Sequence, residues 1–215
     1  MNEIIPVFND SLVIDSSSFI SDYLELGIDN ILDNEFLKSI PIVKSIIGLG
    51  KITKSIRNRN LVKNLAVFLN ELNNGKINEE KLIKYKELLN NDNKKAEKEL
   101  GRIIIILDQI IDNKKSAILS KLYKAYINQL IDWNMFIEFS EITNRIYVND
   151  LDTLLLIYKN ELNSTKNRED LFRVERLNSL GIIGLNVQSI NSGRQDYYVV
   201  LNKIGKKYAD IIFSW

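Results

Sequence analysis

The chain has 215 residues, 45% of them hydrophobic and 27% charged, with 29 Lys and Arg against 28 Asp and Glu. That length predicts a globular protein with a real core, and a net charge of +1 gives no overall pull toward nucleic acid or membrane. The absence of His and Cys excludes thiol nucleophiles, imidazole bases, disulfides and the usual structural zinc or haem sites, and no cofactor is expected.

Residues 1–15 are short, apolar and acidic and read as an N-terminal arm. Their acid stands where a secretory leader needs lysine, so a cytoplasmic protein is expected, at most peripheral at the inner membrane face. From Ser16 helical spacing begins, with Phe19, Ile20, Tyr23, Leu24, Ile28, Ile31 and Leu32 on one stripe. A short helix over 35–40 should stop at Pro41, whose ring is costly inside a helix. Residues 42–57 form a cationic amphipathic segment weakened by Gly48 and Gly50.

Residues 60–73 predict a helix burying Leu61, Leu65, Phe68, Leu69 and Leu72, closed by Asn73-Asn74-Gly75. Asn78 with Glu79 and Glu80 opens the next, which runs to about Leu89. The run 94–112 is strongly apolar and is expected to be the most buried helix. Helices over 114–131, 132–147 and 150–162 follow. After the polar connector Ser164–Asn167 the pattern becomes a helix (169–180), a strand (182–190), a turn at Asn191-Ser192-Gly193, a strand (197–201) and a helix (203–213). The fold class is therefore mostly α: an arm (1–15), a multi-helix domain (16–163), and a small winged-helix-like α+β module (164–215). In that module Val199, Leu201, Ile204 and Tyr208 should face the core.

Gly48-Leu49-Gly50-Lys51-Ile52-Thr53 is not a phosphate loop, because Ser45 stands where its first Gly belongs and Ile52 where its hydroxyl belongs. Asp108 and Asp112 are spaced to share one helical face, a hint of a carboxylate-dependent hydrolase, with Glu97 and Glu99 nearby; such pairs are abundant on solvated helix faces. With serines lacking a histidine partner, no enzyme is expected. Charge order is the clearest anomaly: residues 1–35 hold 8 acids and no base, residues 36–70 hold 7 bases and no acid. The two blocks should pack together, and Lys44, Lys51, Lys54, Arg57 and Arg59 are the candidate contacts for a protein partner or an anionic membrane surface. A DNA-reading module would instead use Arg173, Arg176 and Asn178 on its recognition helix and Arg194 at the wing tip. Residues 164–215 carry 8 basic and 5 acidic side chains, a thin footprint for that role.

The stretch Leu122-Tyr123-Lys124-Ala125-Tyr126-Ile127, then Trp133, Phe136, Ile137 and Phe139, then Asp150, Leu151, Asp152, Leu154 and Leu155, resembles the abortive-infection alpha family. The similarity covers roughly residues 100–213. It implies a helical region followed by a winged-helix-like tail, and a role in phage–host conflict. The expectation is a non-enzymatic interaction protein, with a DNA-binding regulator as the alternative.

Overall fold

The computed structural model describes residues 4–12, 40–48, 56–74, 77–165, 168–189 and 195–214. Among them are ten helices: α1 Ile4–Asp10, α2 Pro41–Gly48, α3 Ile56–Asn73, α4 Glu79–Asn91, α5 Asn93–Gln109, α6 Asn113–Ile127, α7 Trp133–Arg145, α8 Asp150–Tyr158, α9 Arg168–Ser179 and α10 Lys203–Ser214. Three strands, β1 Ser164–Thr165, β2 Ile183–Ser189 and β3 Gln195–Leu201, make one antiparallel sheet in the order β1-β3-β2. The mostly helical class is therefore correct. No helix among the described residues is long and apolar enough to cross a membrane. The stripe Phe19–Leu32, the helix expected over 35–40 (apart from Ile40), the segment 49–55 and the turn at 191–193 lie outside the described residues.

The chain divides into two compact units, Met1–Ser140 and Glu141–Trp215. The boundary falls inside α7, not at the polar connector near Asn163 where composition changes. That connector instead supplies β1, paired to β3 with Ser164 opposite Tyr198 and Thr165 opposite Tyr197.

In the first unit the expected arm is partly a helix. Ile5, Phe8 and Leu12 recur at helical spacing and are buried, and Pro6 sits in the first turn, where no intrahelical bond is lost. Pro41 opens α2 instead of merely ending a preceding helix, the position where proline's missing N–H matters least. Ser11 ties the two together: its hydroxyl donates to the Val7 carbonyl at 2.8 Å and accepts from the Ile42 N–H at 3.0 Å.

The centre of this unit is the α3–α6 pair, not the expected apolar run after residue 94. Val62, Leu65, Phe68, Leu69 and Leu72 of α3 are buried, as are Leu119, Leu122 and Tyr123 of α6; Leu61 is only half-buried. On α5 Ile105 is exposed, and just beyond it Ile111 is 91% exposed. The run is broken because Ile110 turns extended and Asp112 caps α6, its side chain accepting from the Lys114 N–H at 2.9 Å. The amides of Asn60 and Asn64 donate to the freed Ile110 carbonyl at 2.6 and 2.7 Å.

In the second unit Ile142, Ile146, Leu154, Ile157, Val174, Leu177, Tyr208, Ala209, Ile211 and Ile212 form the core. Along β3, Val199 faces inward while Tyr198 and Val200 face out, as strand alternation requires. Of the four expected core positions, Val199 and Tyr208 are buried, Leu201 is half-buried, and Ile204 is 41% exposed. Ile204 lies in the first turn of α10, and the residue that packs there is its neighbour Gly205, pressed against the Ile182 peptide. The Tyr208 hydroxyl hydrogen-bonds Thr143 at 3.0 Å. Helix ends are closed by residues in the left-handed region, Gln129 (φ 59°), Asn160 (φ 60°) and Gly181 (φ 72°). At Gln129 the Leu130 N–H bonds the Ala125 carbonyl and the Gln129 N–H the Tyr126 carbonyl, the double closure that usually employs glycine.

Candidate functional site

The cations of the basic block stand in different settings. Lys44 is exposed on α2, Arg59 is half-buried on α3, and Lys51 and Lys54 lie outside the described residues. Arg57 donates through Nε to both oxygens of Asp108 at 3.0 and 3.1 Å, and through a terminal nitrogen to the same carboxylate. That hydrogen bonding and charge hold the guanidinium above its ordinary pKa. Asp108 is thus an ion-pair partner on α5 and Asp112 the cap of α6, so the suspected carboxylate pair does not share a helical face.

Of the residues named for DNA, Arg173 is half-buried, Asn178 is exposed, and Arg194 lies outside the described residues. Arg176 is committed within its own unit. Its Nε donates to Asp150 Oδ2 at 2.7 Å and a terminal nitrogen donates to Oδ1 at 2.5 Å, a bidentate clasp on a buried carboxylate. The clasp raises its pKa above the ordinary arginine value. The guanidinium also lies over the Tyr147 ring, 5.1 Å from its centroid. Tyr147 is 64% and Phe172 56% exposed, and Phe172 stands four residues before Arg176, on the same face of α9. The second unit therefore presents two open aromatic rings and a guanidinium fixed in position. The outer sheet face adds Tyr198 and Val200, opposite Asn186 and Gly184.

A cluster that sequence reasoning missed lies in the first unit. Glu99 is buried on α5 and accepts from the Tyr85 hydroxyl at 2.6 Å and the Tyr126 hydroxyl at 2.9 Å; the Lys95 ammonium is 3.2 Å away. The Tyr123 hydroxyl donates to that of Tyr85 at 2.9 Å, completing a chain of polar groups inside an aromatic cage with Trp133 and Phe136. Burial first, then neighbouring charge, pushes Tyr85 and Tyr126 above the ordinary phenol range, and burial raises Tyr123 as well. These hydroxyls stay protonated and serve as donors. Sequence gave one cue, Tyr123 and Tyr126 three residues apart, but Glu99 and Tyr85 come from other helices.

Beside the cluster opens a cavity of about 220 Å³ whose walls include Lys81, Lys84, Tyr85, Leu88, Lys95, Tyr126 and Gln129. A hollow of about 380 Å³ between α1, α4 and α5 is lined by Asn9, Asn90, Asn93 and Glu97 among others, with Asn9 donating to Asn90 at 2.6 Å. On α6 the Lys124 ammonium is buried, donating to the Asn74 carbonyl at 2.8 Å with Glu71 at 3.6 Å. Burial lowers its pKa, and Glu71 opposes that shift.

No group of three or more acidic side chains among the described residues is placed to hold a metal ion. Comparison of the chain with protein-family profiles, with curated proteins and with solved structures returns no match.

Proposed function

We propose that this chain is a non-enzymatic interaction protein whose second unit grips a protein partner through Tyr147, Phe172 and Arg176. The observation that carries the reading is the bidentate Asp150 clasp, which fixes Arg176 over an exposed tyrosine and beside an exposed phenylalanine. Aromatic and arginine side chains dominate the binding energy of protein interfaces, and a pre-oriented arginine loses less entropy on association. The setting, phage–host conflict in bacteria, rests on the resemblance of residues 100–213 to the abortive-infection alpha family. The test is phage plating on bacteria expressing wild-type protein, Tyr147→Ala or Phe172→Ala, with partner capture by each. Both exposed substitutions leave the fold intact and should abolish capture and the plating phenotype together. Retention of both by both variants overturns the reading.

A DNA-binding winged helix is the second reading, supported by the order α9–β2–β3–α10 and by β1 completing the sheet beside β3. It is weakened at Arg176, whose fork is already occupied by Asp150 and cannot also clasp a guanine edge. Arg173 and Asn178 remain its candidates on α9. Salt-titrated duplex binding with Arg173→Ala decides it, since phosphate contacts make affinity fall steeply with salt.

A further inference from the structure

We propose that the cavity beside Glu99 is a binding site for a phosphate group, carried by a small molecule. Lys81, Lys84, Tyr85 and Leu88 follow one another at helical spacing, so α4 turns a single stripe toward it. The core stripe of the same helix is a different one, carried by Leu82 and Leu89. The cavity stripe thus holds two cations and an aromatic ring where a solvated face or a core contact would otherwise be expected.

Lys95 closes the wall from α5. Each ammonium has three donors, and the contacts in place occupy only part of that capacity. Lys81 gives one to the Asn128 carbonyl at 2.7 Å, Lys84 one to Glu80 at 2.6 Å, and Lys95 faces Glu99 at 3.2 Å. Glu99 in turn is held by two tyrosine hydroxyls, which spreads its charge and leaves Lys95 free to turn a second N–H outward. Three cations around so small a volume suit an anion with three terminal oxygens better than a carboxylate with two. The volume is below that of a drug-sized pocket, so only the phosphate and a small adjoining group enter, with the exposed Leu88 at the edge to meet the latter. This site belongs to the first unit and stands independently of the protein contact proposed above.

The experiment is calorimetric titration of the full chain with inorganic phosphate, phenyl phosphate and acetate at constant ionic strength, in wild type, Lys81→Gln, Lys84→Gln and the control Lys94→Gln. Lys84 and Lys94 are exposed, so these variants fold. Phosphate or phenyl phosphate should bind wild type and the control alike and bind the Lys84 and Lys81 variants about tenfold or more weakly. Co-sedimentation with vesicles of phosphatidylcholine and phosphatidic acid, lost in Lys84→Gln, would overturn the small-molecule carrier and assign the phosphate to a lipid headgroup. Acetate binding as well as phosphate, an equal loss in the control, or no binding of any of these probes overturns it.

Discussion

Replacing Gly205 by alanine is the sharpest test of how α10 seats on its unit. An added Cβ would lie 1.7 Å from the Ile182 carbonyl oxygen, 2.6 Å from its carbon and 3.0 Å from its Cα. All three are backbone atoms, so no rotamer change relieves the overlap. The same carbonyl accepts from the Asn202 N–H at 3.3 Å, and Asn202 also bonds Gly181 and Gly205 at 2.7 and 2.8 Å, so the contact is locked on both sides. Overpacking costs about 1–3 kcal/mol, here near its upper limit because backbone must move. Loss of the Asn202 bond adds about 1 kcal/mol, and alanine's better helix propensity returns about 1 kcal/mol. The expected loss is therefore about 3 kcal/mol. Gly101 is the internal control, a helical glycine whose added Cβ would meet only Ile5 Cδ1, at 3.8 Å. Gly101→Ala should stabilise by about 0.5–1 kcal/mol. The assay is urea unfolding followed by circular dichroism. With a slope of about 1–3 kcal/mol/M, Gly205→Ala should lower the midpoint of its unit's transition by about 1 M or more. A wild-type midpoint for Gly205→Ala would refute the close approach of α10 to Ile182.

Gln129→Gly relieves a left-handed non-glycine residue and should raise the urea midpoint by the equivalent of about 0.5–1 kcal/mol, the strain relief less glycine's added freedom when unfolded. Ile204→Asp should change stability by no more than about 0.5 kcal/mol, because the side chain is largely exposed and an acid suits a helix N-terminus; collapse of the helical signal would contradict that. Lys124 has its folded pKa lowered by burial, so the folded state binds its proton less well than the unfolded chain. Wild type should therefore gain stability relative to Lys124→Met as pH rises through that lowered pKa toward the ordinary 10.5, a difference read from urea midpoints across pH.

The helices from α3 onward were legible because their caps and apolar stripes are local. Asn78 accepts from a backbone N–H at the start of its helix, as its place before Glu79 and Glu80 announces; Asp92, Asp112 and Asp132 do the same, although Asp112 reads in sequence as a helical carboxylate paired with Asp108. The end of α5 was misread because Ile110 and Ile111 continue an apolar run, while the interactions that break it come from Asn60 and Asn64, far away in the chain. The two-residue β1 has no pattern of its own and exists through β3. The Arg176–Asp150 clasp and the Glu99 cluster escaped for the same reason. Each residue alone reads as a surface charge or a core aromatic, and only the fold decides which acid a given arginine or tyrosine reaches.

The α3–α6 pairing has a consequence for how the protein is made. The contact joining Asn74, just past α3, to Lys124 on α6 spans 50 residues of chain. A ribosome adding roughly 5–20 residues per second takes about 3–10 s to deliver that length. For those seconds Leu65, Phe68, Leu69 and Leu72 have emerged without the helix that covers them in the finished core. The nascent chain is then most exposed to chaperones and to aggregation, and substitutions that trim the apolar face of α3 should trade final stability for a safer passage through synthesis.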